Sequence, residues 1–98
     1  MINGINSGVN IAEKKAFTFY SDPGHGWLKV NKRDLMELSL EDKISNYSYV
    51  SGENVYLEED CDASLFWKTY EDMYNTTLKF TEVYQEDCFI RDLPHYRR

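Results

Sequence analysis

Cysteine is scarce in this chain: Cys61 and Cys88 are the only two in 98 residues, far apart and with no CxxC pair. Such a set builds neither a disulfide framework nor a zinc site, so reduced structural thiols are expected. Long apolar runs are missing too. No stretch approaches the roughly 20 residues that cross a bilayer, and the opening MINGINSGVNIAEKK lacks the basic-then-apolar order of a signal peptide. The resulting expectation is a cytoplasmic protein with no membrane contact. Basic residues are lacking in the middle of the chain. From Asp34 to Asp87 fourteen acids face only Lys43, Lys68 and Lys79, while residues 1–33 carry +3 and residues 88–98 carry +2, for a total of −6. A field of that sign repels phosphates and attracts basic protein surfaces, which argues against direct binding of nucleic acid.

Aromatic residues are plentiful. Eight tyrosines, five phenylalanines and two tryptophans make 15% of a chain that is 42% hydrophobic, enough for burial to offset the entropy of ordering in one domain. The first fourteen residues mix Asn, Gly and Ser without periodicity and read as a mobile N-terminal arm. Residues 15–98 read as a single domain with a short C-terminal tail.

Ala16 to Tyr20 is aromatic and β-branched and stops at Ser21-Asp22-Pro23-Gly24, as a strand entering a turn does. Trp27 to Val30 reads as a second strand. Asn31 is a good N-cap for a short helix through Leu35 and Leu38. Tyr47, Tyr49, Val55 and Leu57 flank Ser51-Gly52-Glu53-Asn54, a hairpin in which Gly52 supplies positive φ. Ala63, Phe66, Trp67, Tyr70, Met73 and Tyr74 recur at helical spacing, with Asp60 or Asp62 placed to cap the start and Asn75 to close the end in the left-handed conformation. Leu78, Phe80 and Val83 give a last strand, and Phe89, Ile90 and Leu93 have the character to fold back onto the core. The order β-β-α-β-β-α-β predicts an α+β domain, a small antiparallel or mixed sheet with two helices on one face.

Four features bear on chemistry. His25, between glycines in Asp22-Pro23-Gly24-His25-Gly26, sits in an exposed turn where it is free to approach a ligand, but a tight turn with a solvated histidine accounts for the same residues. Glu58-Glu59-Asp60-Cys61-Asp62 offers oxygen ligands for a hard cation, yet it lacks calcium-loop spacing, and neighbouring strand positions point to opposite faces. Cys61 lies near a helix N-terminus, which favours a thiolate, while the surrounding acids raise a thiol's pKa and favour a buried structural cysteine. Tyr47, Tyr49, Tyr56, Tyr84 and Tyr96 are either core and rim residues or partner contacts.

The segments Phe19-Tyr20-Ser21-Asp22-Pro23-Gly24-His25-Gly26-Trp27-Leu28-Lys29-Val30, Lys43-Ile44-Ser45 through Tyr47-Ser48-Tyr49, and Val55-Tyr56-Leu57-Glu58-Glu59-Asp60-Cys61-Asp62-Ala63 resemble a family of small uncharacterised proteins found on phages and mobile elements. The resemblance spans roughly residues 17 to 70. It brings no activity and no functional residues. It implies a genomic setting in which small acidic proteins inhibit host defence, as anti-CRISPR proteins and DNA mimics do.

These readings combine into a non-enzymatic, acidic protein-binding module with no cofactor. Its expected contacts are Glu58, Glu59, Asp60, Asp62, Glu71, Asp72, Tyr49 and Tyr56, docking on the basic surface of a nucleic-acid-handling partner such as a CRISPR or other defence effector. The alternative is a small enzyme or metal-binding protein centred on His25 with Asp22, Asp60 and Cys61, which requires the first turn and the end of the hairpin to converge.

Overall fold

The computed structural model describes residues 16–97; the proposed arm, residues 1–14, lies outside them. Five strands and two helices follow in the order β1 (Ala16–Ser21), β2 (Gly26–Asn31), α1 (Lys32–Glu37), β3 (Tyr49–Ser51), β4 (Asn54–Glu58), α2 (Asp62–Tyr74) and β5 (Lys79–Tyr84), with a 3-10 helix at Phe89–Asp92. They form one α+β unit. The mixed sheet runs β3-β4-β2-β1-β5, antiparallel throughout except where β5 pairs parallel to β1.

Local chemistry accounts for the element ends. Asn31 accepts from the Asp34 N–H while Asp34 accepts from the Asn31 N–H, both at 2.9 Å, so a reciprocal capping box starts α1. Gly52 takes φ +61 in the β3–β4 hairpin, and Asn75 closes α2 at φ 52. The start of α2 departs from expectation. Cys61 is its N-cap residue and makes no side-chain cap bond. The Asp62 carboxylate turns inward instead, accepting from the Ser45 N–H, the Ser45 hydroxyl and the Ser48 hydroxyl.

Alternation along the strands makes the sheet two-faced. On one face Phe17, Leu28, Val30, Val55 and Leu57 pack against Leu35 of α1 and Phe66 and Tyr70 of α2. Phe17 meets Phe66 and Tyr70 edge-on, with centroids 5.5 and 5.3 Å away. On the other face Trp27 and Tyr56, with Tyr20 and Tyr49 beside them, are covered by Cys88, Ile90 and Leu93. The tail does fold back, but onto the face opposite the helices. Pro94 to Tyr96 then continue along β3: the Val50 N–H donates to the Pro94 carbonyl at 2.9 Å and the Tyr96 N–H to the Ser48 carbonyl at 2.8 Å.

Candidate functional site

An open groove lies on each face of the sheet, and each draws on residues that the sequence singled out. The first lies beside α2. Phe19 from β1 and Trp67 from α2 give it aromatic walls, and Glu59, Glu71 and Asp72 give it a carboxylate rim, around a volume of about 440 Å³. Among the described lining residues Lys68 is the one base. The groove reaches the sheet at Gly26. A methyl group there would stand 2.6 Å from both Glu59 Oε1 and Phe19 Cζ, so glycine is what lets these two side chains meet over the strand. Glu71 is held in place by accepting from Trp67 Nε1 at 3.1 Å and the Leu78 N–H at 2.9 Å.

The second groove, about 320 Å³, lies on the tail face and is lined by His25, Trp27, Tyr49, Cys61, Arg91 and His95, with Tyr47, Glu58 and Asp60 around them. It is built on a clip between the first turn and the 3-10 helix. Asp22, buried at 7% exposure, accepts from the Gly24 and His25 N–H groups at 3.0 and 2.9 Å. It also takes Arg91 Nε at 2.5 Å and Nη2 at 3.0 Å, a bidentate pair. The Arg91 guanidinium, followed by the two backbone donors, holds the Asp22 carboxyl well below the usual carboxylate range against the opposing pull of burial, and Asp22 in turn pushes Arg91 up. The guanidinium carbon lies 5.6 Å from the centre of the Trp27 ring, within cation–π range.

The two histidines differ in what they offer. Arg91 Nη2 approaches His25 Nδ1 at 2.7 Å. Because a guanidinium only donates, Nδ1 accepts and the ring proton of neutral His25 sits on Nε2. His95 Nδ1 is 2.6 Å from the Asn46 carbonyl, so it donates, and Nε2 carries the lone pair. His25 stacks on Trp27 (5.9 Å, 20°) and His95 on Tyr49 (4.6 Å, 28°). At Nε2 the two neutral rings thus keep opposite roles, a donor on His25 and an acceptor on His95.

The structure brings His25, Asp60 and Cys61 to one groove, the convergence on which the enzymatic alternative depends. Asp22 stands behind them with its carboxylate engaged by Arg91. Cys61 is exposed, not buried as its residue type suggested, because the turn after β4 carries it to the groove rim. Desolvation by its neighbours, then the carboxylates of Glu58, Asp62 and Asp60, push its thiol up, which disfavours a nucleophilic thiolate near neutrality. Among the described residues no group of three or more His, Cys, Asp or Glu is placed to hold a metal ion.

The eight expected contact residues do not form one surface. Glu59, Glu71 and Asp72 line the α2 groove, whereas Glu58, Asp60 and Tyr49 line the His25 groove. Asp62 and Tyr56 are each 4% exposed; they offer a partner no surface, because one anchors Ser45 and Ser48 and the other packs under Phe89 at 5.6 Å. Burial, with Tyr20 and Cys88 adding to it, pushes the Tyr56 hydroxyl up. Arg91 and His95 were missed by sequence reasoning. The available signal was apolar Ile90 and Leu93 beside them, which mark the tail as packed but not what it packs on. Comparison with family models, with curated proteins and with solved structures finds no match for this chain.

Proposed function

We propose that the protein is a non-enzymatic binding module that docks on the basic surface of a partner protein through the α2 groove. The observation that carries this reading is the gathering of Glu59, Glu71 and Asp72 around the aromatic walls of Phe19 and Trp67. An arginine or lysine side chain fits such a place: its aliphatic stem lies along the rings and its charge meets the carboxylates. The chain's net charge of −6 adds steering toward a basic partner. A nucleic-acid-handling defence protein of a bacterial host is the partner class, and inhibition of it the role; both follow from the phage-like sequence segments and the acidity together.

Affinity capture from bacterial extract, with the wild-type protein and with Glu59→Lys/Asp72→Lys, tests this. Both side chains are exposed, so the variant should keep the fold, which its circular dichroism checks. Wild type should recover a basic nucleic-acid-handling protein that the double variant loses and that Asp60→Lys, on the other groove, retains. Equal recovery by all three overturns the assignment.

A second reading rests on the second groove, where His25, His95, Cys61 and Asp60 meet: a small-molecule site with acid–base capability. A thermal-shift screen distinguishes it, since a true ligand raises the melting temperature of the wild type and not of His95→Ala.

A further inference from the structure

One edge of the sheet is covered and the other is open. Beyond β3, Pro94 to Tyr96 supply backbone partners. Beyond β5, among the described residues, nothing pairs, and the strand is exposed along almost its whole length. The side of β5 that is free follows from its hydrogen bonds. The Gln85 N–H donates to the Ser21 carbonyl at 2.9 Å, and Ser21 stands opposite Tyr84. In a parallel ladder both polar groups of a residue point to one side, and sides alternate along the strand. The backbones of Lys79, Thr81 and Val83 therefore face β1, while those of Phe80, Glu82 and Tyr84 face outward. Such a row is a template for another strand, and it carries exposed aromatics, with Phe80 at 38% and Tyr84 at 61% exposure.

We infer that two copies of this chain pair antiparallel through β5 and merge their sheets. The register is restricted by the same parity, because only outward-facing residues exchange backbone bonds. Two symmetric registers preserve most of the strand. The one centred on Glu82 sets identical carboxylates opposite each other, which is destabilising. The one centred on Thr81 pairs Phe80 with Glu82 of the other copy, Lys79 with Val83, and Thr81 with Thr81 on the two-fold axis. It removes the direct clash and lets the Lys79 stem cover Val83. The axis stands perpendicular to the sheet, so both α2 grooves open on the same side of the assembly.

The experiment uses the full chain with Cys61→Ser, since Cys61 is the exposed thiol. Sedimentation of concentrated protein should give twice the mass of one chain. Glu82→Pro should halve that mass, because the Glu82 N–H bonds only across the interface and its loss leaves the β1–β5 ladder whole. Thr81→Cys should oxidise to a disulfide-linked pair, as directly opposed positions of this kind lie within disulfide reach, whereas Val83→Cys should not. A monomer at high concentration, a dimer indifferent to Glu82→Pro, or equal cross-linking of the two cysteine variants overturns the inference. Amide exchange at Phe80 and Glu82 separates a second copy from the chain's own terminal residues: protection that grows with concentration supports the dimer, and protection independent of concentration overturns it.

Discussion

Asp22 gathers four hydrogen bonds on one carboxylate, two from the turn it opens and two from Arg91, sixty-nine positions away. Its pKa in the folded protein is depressed from an ordinary 3.8. The clip therefore contributes fully above that ordinary value, and its contribution is lost as pH falls through the depressed one. Acid should erode stability from about pH 5 downward, and Asp22→Asn should both lower stability at neutral pH and flatten that decline. Urea midpoints at neutral and acidic pH read both effects; an unchanged acid slope would assign the response to other carboxylates. Arg91→Lys should not substitute, since an ammonium cannot donate in a fork to Asp22 and still reach His25 and the Trp27 face.

At the scale of elements, the strands, both helices and the hairpin were legible because their signals are local. Period-two and helical spacing, Asn31 before α1, Gly52 in the hairpin and Asn75 after α2 each act within a few residues. What was illegible is long-range. Asp62 looks like a cap in sequence and is instead the anchor of a loop fourteen to seventeen residues upstream. The second groove joins His25 to Arg91 across sixty-six positions, a separation at which no pattern in the chain marks the pair. The 3-10 helix was legible in part: Phe89, Ile90 and Leu93 mark a tail that folds back, but not that it forms a core layer on the face opposite the helices. Ile90 is fully buried on the tail face, and Ile90→Ala should cost about 2–5 kcal/mol, while Asp92→Ala, on the exposed side of the same turn, should stay within about 0.5 kcal/mol. Chemical denaturation of both variants checks the contrast, and equal small losses would reduce the tail to an appendage.

For the molecule as a whole, the sheet is a wall with a groove on either side. The acidity that composition presents as one block, Asp34 to Asp87, is divided by that wall. Glu59, Glu71 and Asp72 look out beside α2, Glu58 and Asp60 look out toward the tail, and Asp62 is enclosed between Ser45 and Ser48. A basic partner engaging one face leaves the carboxylates of the other in solvent, where salt screens them over about 8 Å at physiological ionic strength. Charge reversal should accordingly act face by face, which is why Glu59 and Asp72 are tested against Asp60 rather than pooled with it.

Gly26 lies at the point where the two sides of the wall meet. Phe19 and Glu59 of one groove close over it, and the residue after it, Trp27, is the floor of the other. A methyl group at this position would meet Phe19 and Glu59 on one side and shift the strand that carries Trp27 on the other. In a saturation scan scored separately for folding and for binding, Gly26→Ala should behave like an error in two readouts at once, displacing the Phe19 ring and, through the backbone, the indole beneath Arg91. Tolerance of alanine there would show that the two grooves are independent, and that each is free to change without the other.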